Sequence, residues 1–137
     1  MTVWWQRTDF YDHWRGEYYN GIHLQPPPLL IRDDAEIDFN WGLGSPAPGL
    51  PDDNFSVRWT RSVHFAAGDY RFVIEGGDGV RLRLDDWVVI DEGLQDDGQR
   101  IFEGEFRALS EGHHLVQVEW YSRGGIAYVK MWWERIR

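Results

Sequence analysis

Residues 54–65 read NFSVRWTRSVHF, and their alternation decides the fold. Phe55, Val57, Trp59, Val63 and Phe65 share one face, and Ser56, Arg58, Thr60, Ser62 and His64 share the other. A period of two sends successive side chains to opposite sides of an extended backbone, so this stretch is a half-buried β-strand. The period returns along the chain. DYRFVIE aligns Tyr70, Phe72 and Ile74; VRLRL aligns Val80, Leu82 and Leu84 against Arg81 and Arg83. FEGEFRAL places Phe102, Phe106 and Ala108 together, and HLVQVEW places Val116, Val118 and Trp120 together. GIAYVKMWWERI aligns Ala127, Val129, Met131 and Trp133; its other face is also apolar, so this last strand is expected to be covered on both sides.

Turn-forming residues separate these runs, among them Gly76-Gly77-Asp78-Gly79, Asp85-Asp86, Asp96-Asp97-Gly98 and Arg123-Gly124-Gly125. Short strands with such spacing predict an all-β, antiparallel β-sandwich or barrel. No window sustains a helical period; at most a short turn capped by Asp33 or Asp34 fits DDAEI. Two segments break the alternation. LQPPPLLIRDD carries three prolines and is expected as an extended edge or a covering loop. WGLGSPAPGLPDDN is a long Gly- and Pro-rich connection, of the kind that is functional or packs back on the core.

The 137 residues fit one domain, spanning 1–137. Hydrophobic residues make up 42% and aromatic residues 16%, with nine Trp, enough to offset the ordering entropy of a compact fold. A net charge of −9 excludes nucleic acid as a partner, because phosphate binding needs clustered Lys and Arg. No apolar run approaches the ~20 residues of a membrane-spanning helix, so no membrane insertion is expected. MTVWWQRTDF lacks a basic region followed by an apolar run, so no signal peptide is expected in this chain. There is no Cys, which excludes disulfides and thiolate metal sites.

The chemistry-bearing stretch is EGGDGVRLRLDDWVVIDEG, residues 75–93. A glycine loop that cradles phosphate leads into a helix, whereas this one joins two strands and so reads as a turn. Asp85-Asp86 is expected as a solvated hairpin tip. Asp78, Asp91, Asp96 and Asp97 are calcium candidates by charge alone, with no helix-loop-helix pattern around them. The pair His113-His114 stands at a strand entrance, where packing or capping is expected rather than catalysis. No pair of carboxylates stands out for glycoside hydrolysis, although Glu119 is notable beside Trp120 and Tyr121. Trp59, Trp120 and Trp133 fall in step with apolar neighbours and belong to the core. Trp87 and Trp41 are expected to be partly exposed, with flat faces suited to stacking on sugar rings.

Six blocks, GEYYNG (16–21), IDFNWGLGSPAPGLPDDNFSVRWT (37–60), AGDYRF (67–72), GDGVRLRLDDWVVID (77–91), GHHLVQVEWY (112–121) and GGIAYVKMWW (124–133), resemble the protective-antigen-type (PA-fourteen) domain family in order along nearly the whole chain. The resemblance implies a jelly-roll-like β-sandwich or barrel that is extracellular or at the cell surface and binds a glycan or cell-surface polysaccharide. In calcium-dependent lectins of the family, two consecutive Asp joined by a cis peptide hold Ca²⁺, which binds sugar hydroxyls. Here those positions are Gly77 and Asp78, so only the metal ligand Asp78 carries over. The later ligand loop corresponds to YSRGGIA, which offers Ser122 and backbone carbonyls but also the cationic Arg123. Asp86 stands where the family has a turn glycine. The ligand-binding set implied is Gly77, Asp78, Trp87, Ser122 and Arg123. The expected role is a non-catalytic carbohydrate-binding or adhesion module of a larger extracellular protein, with weak calcium assistance at most. The alternative is a structural or assembly module that binds no sugar. No enzyme activity is expected.

Overall fold

A computed structural model describes residues 13–92 and 101–137. The Asp96-Asp97-Gly98 turn lies outside the described residues, as does the segment before His13.

Ten strands follow in chain order, and there is no helix among the described residues: β1 (Trp14–Asn20), β2 (Leu30–Asp34), β3 (Asp38–Gly42), β4 (Phe55–Phe65), β5 (Gly68–Glu75), β6 (Gly79–Leu84), β7 (Trp87–Glu92), β8 (Ile101–Leu109), β9 (Gly112–Ser122) and β10 (Ala127–Arg135). They form two antiparallel sheets. One has six strands in the order β2-β1-β4-β9-β6-β7; the other has four in the order β3-β10-β5-β8. No helix of the described residues is long and apolar enough to cross a membrane.

The sheets pack face to face because each strand's alternation supplies one apolar side. Phe55, Val57 and Trp59 of β4 meet Val118 and Trp120 of β9 and face Phe72, Ile74 and Val129 of the smaller sheet, all buried. Aromatic rings fill much of the space. Trp41 packs edge-on to Trp120 at 5.6 Å and Tyr18 edge-on to Trp59 at 6.2 Å. Edge-to-face rings bring the positive ring edge to the negative face, so such pairs add to simple burial. Trp41 is half-buried at the end of β3, and Leu50 of the long Gly/Pro connection folds back into the core. The proline-rich segment leads into β2, an edge strand, as expected.

Three expectations are corrected. Asp33 and Asp34 end strand β2 and cap no helical turn; Asp34 is buried. Its carboxylate accepts from Tyr18 Oη at 2.5 Å, Trp59 Nε1 at 2.9 Å and Arg32 Nε at 2.5 Å, and three donors compensate its loss of water. Burial, and then the neighbouring Asp34 carboxylate, push the Tyr18 hydroxyl far above the usual tyrosine range. Ala108 is exposed with φ +56°, and Leu109 takes the buried place. The ladder of β5 with β8 shifts register between Gly68 and Tyr70, which moves the inward side of β8 by one residue. The outer face of β10 is partly open: Lys130 is exposed and Trp132 is 37% exposed, and among the described residues no third layer of strands lies over the four-stranded sheet.

Candidate functional site

Strands β6 and β9 lie side by side, with Gly79 opposite Tyr121 and Leu84 opposite Val116. At one end of this pair lie the segments 21–29, 43–54, 76–78 and 123–126, here called the loop end. At the other lie the turns 66–67, 85–86 and 110–111, the hairpin end.

The sequence-derived site residues divide between these ends. Gly77, Asp78, Ser122 and Arg123 meet at the loop end. Trp87 starts β7 at the hairpin end, a strand length of roughly 20 Å away at ~3.3 Å per residue. It is 66% exposed and touches the ring of Phe106. Asp78 is held twice: its amide donates to the Tyr121 carbonyl at 3.0 Å, and its Oδ2 accepts from the Arg123 amide at 2.7 Å. The carboxylate therefore fastens the start of the β9–β10 loop to the β5–β6 turn. Ser122 ends β9 opposite Phe55 and is only 3% exposed, so it offers little surface to a ligand.

Gly77 has φ +88°, and a β-carbon there would lie 2.3 Å from Trp120 Nε1. Trp120 is buried among Trp41, Phe55 and Trp59 and has no room to retreat. Glycine is required here by backbone and packing together. The one cis peptide among the described residues is Pro26–Pro27, so Gly77–Asp78 is trans. No three His, Cys, Asp or Glu among the described residues are placed to hold a metal. Asp91 sits in an ion pair with Arg81, and Asp96 and Asp97 lie outside the described residues. Calcium wants six to eight oxygen ligands, and the described residues at this turn supply Asp78 as a carboxylate with no such set around it.

Register builds a second feature that alternation alone does not reveal. On the outer face of the six-stranded sheet, Glu17, Arg58, Glu119, Arg81 and Asp91 fall in one cross-strand row of alternating sign. Glu119 Oε2 accepts from Arg58 Nη2 at 2.9 Å and Nε at 3.1 Å, while Oε1 lies 3.4 Å from Arg81 Nη1. Both its oxygens are committed to guanidinium groups, which suits a fixed polar surface better than proton transfer. The neighbouring row runs Tyr19, Ser56, Tyr121, Gly79. There the Tyr121 ring lies across Gly79, where a β-carbon would fall 2.1 Å from its Cε1. Burial and then the Asp78 charge raise the Tyr121 pKa. A cavity of about 250 Å³ opens beside this ring, between Ile22–Leu24 and the end of β7.

The hairpin end also carries polar side chains. The Asp85-Asp86 tip forms as expected, with φ +55° at Asp85, but Asp85 is not merely solvated. Its Oδ1 accepts from the Leu115 amide at 2.9 Å, and its Oδ2 lies 2.7 Å from His114 Nδ1. His114 Nε2 lies 2.8 Å from the Ser110 carbonyl and 3.4 Å from Ser110 Oγ. Both ring nitrogens thus face acceptors. Burial draws the His114 pKa down, but the Asp85 and Ser110 hydrogen bonds and the Asp85 charge outweigh it and raise it. His114 Nε2 lies closer to the Ser110 carbonyl than to its hydroxyl, so Ser110, His114 and Asp85 are arranged as a latch that ties the two turns together.

Comparison with known proteins agrees with this architecture. The profile of the PA14 domain family matches residues 14–137. Anti-sigma-I factor RsgI3 of Acetivibrio thermocellus is 32% identical over 120 residues, 87% of this chain, and the match spans only 18% of that relative's length. The solved structure of an anti-sigma factor domain-containing protein superimposes with a TM-score of 0.82 at 29% identity, covering 92% of this chain and 44% of that one. The PA14 sugar-binding domain from an RTX adhesin superimposes at 0.73 with 18% identity, covering 91% and 90%, a likeness of fold alone. From the matched profile and the two-sheet architecture together, the chain belongs to the PA14 domain family.

Proposed function

We propose that this chain is a non-catalytic carbohydrate-binding module, one part of a larger protein that meets glycans outside the cell. The observation that carries the reading is the cavity beside Tyr121, where the fixed polar groups Arg81 and Glu119 and a half-buried tyrosine line one space. Small-ligand sites combine an apolar or aromatic surface with a few placed polar groups, and this one has both. The sugar-binding title of the adhesin domain supports the reading by likeness of fold. The anti-sigma factors among the relatives point to a regulatory protein as the host of such a module. Binding is calcium-independent in this reading, because Gly77 and the engaged Asp78 leave too few metal ligands. Glycan-array binding with and without chelator tests it: retained binding in chelator is expected, and no signal on any glycan would sink it.

A second reading rests on a different observation. Ile101 and Trp132 are large apolar residues exposed on the outer face of the four-stranded sheet, where a structural or assembly module would pack. Light scattering separates the two, since a strict monomer that binds glycans removes the assembly role.

A further inference from the structure

We propose that the groove beside Tyr121 is a subsite for one neutral sugar ring, stacked on the tyrosine and hydrogen-bonded to Arg81 and Glu119. The proposal rests on the carbohydrate reading and adds the place and the ligand's charge.

The groove is built before any ligand arrives. Its wall, Ile22–Leu24, is pinned through the buried Ser56. The Leu24 amide donates to Ser56 Oγ at 3.1 Å, and Ser56 Oγ donates to the Gly21 carbonyl at 2.8 Å. Gly21 in turn donates to the Asn54 carbonyl at 2.7 Å. The floor is the Tyr121 ring, which can lie down only because Gly79 opposite has no side chain. A flat ring of this kind offers the apolar contact that the C–H face of a pyranose needs.

Polar groups complete it. Glu119 is only 11% exposed along its side chain and is oriented by Arg58 and Arg81. Arg81 is itself braced by Asp91, with Nε 3.3 Å from Oδ1. Ordering cost falls when a protein's polar groups are already held. A guanidinium next to a carboxylate presents donors beside acceptors, which matches neighbouring hydroxyls that both give and accept hydrogen bonds.

Charge chooses among sugars. Glu119, Asp91 and Glu92 line the groove together with Arg81, Glu119 also pairing with Arg58, and the whole chain carries −9. A uronic acid would bring a further negative charge into this field. The cavity, about 250 Å³, lies below the ~300 Å³ at which drug-sized pockets begin, which suits one ring with the rest of a chain outside.

The test uses the full chain with immobilised neutral β-glucan, neutral arabinoxylan and polygalacturonate. Retention on a neutral polysaccharide is expected, with Tyr121→Ala weakening it about tenfold and Tyr121→Phe weakening it clearly less. Arg81→Gln guards against a Tyr121→Ala chain that fails to fold and is expected to weaken binding in the same direction. Neutral binding that survives both Tyr121→Ala and Arg81→Gln would overturn the subsite and leave the carbohydrate reading standing. Binding to polygalacturonate alone would overturn the neutral-sugar assignment. No retention on any of the three would overturn both.

Discussion

Strand β9 is stapled at both ends by an aspartate from the ends of β6, and the two staples are unequal. At the hairpin end, Asp85 accepts the Leu115 amide and also engages His114. At the loop end, Asp78 accepts the Arg123 amide in a glycine-rich turn. The same side chain does the same backbone chemistry in both places. The difference lies in the neighbours: a histidine latch closes one end, whereas loops and a groove open the other. At the loop end the Asp78 carboxylate thus serves the backbone as an acceptor, as Asp85 does at the other end.

Placing an Asp directly before Asp78 is the hardest test of the comparison. Gly77→Asp is expected to cost about 3 kcal/mol, combining a left-handed backbone with overpacking against Trp120. Chemical denaturation would measure it. Calcium is expected not to recover the loss, and a calcium-dependent rise in Tm would show that the loop end can still be a metal site. Next in size, Asp85→Ala is expected to remove about 1.5 kcal/mol, since it deletes a charged acceptor for a backbone amide and the His114 partner. Equal losses from Asp85→Ala and Asp78→Ala would erase the distinction between the ends.

The latch also predicts a pH dependence. Because the folded His114 pKa is raised above 6.5, its protonated form contributes stability fully present below that value. The contribution is lost as pH rises through the folded pKa. The stability difference between the wild type and His114→Gln is therefore expected to be larger at pH 6 than at pH 8. A flat difference would remove the charged latch. The smallest effect expected is for Asp78→Ala, about 0.5–1 kcal/mol, with faster hydrogen exchange at the Arg123 amide as its local signature.

Alternation made the sandwich legible because burial on one face leaves a direct trace in sequence. The inward residues of β4, β6 and β9 match it position by position. What alternation cannot carry is partnership across strands. Asp34 sits in a run of acids that looks solvated, and only the fold brings Tyr18 and Trp59 to it. The single-residue shift that exposes Ala108 leaves no mark in composition. The same limit applied at the candidate site. Resemblance located the Asp78 turn, but Tyr121 over Gly79 and the Glu119–Arg81 pair depend on register. Trp87 stands only nine residues after Asp78, yet β6 carries it to the far end of the sheet.

The central pair of the six-stranded sheet has a consequence for how the chain folds. β4 ends at Phe65 and β9 begins at Gly112, with four other strands in between. Their ladder, the longest among the described residues, can close only after that intervening chain has been gathered in. Loop-closure entropy is spent before those contacts form, so folding is expected on the slow, millisecond-to-second side of two-state behaviour. Conservative changes in β4 or β9 that slow folding, rather than speed unfolding, would place this pair in the rate-limiting step.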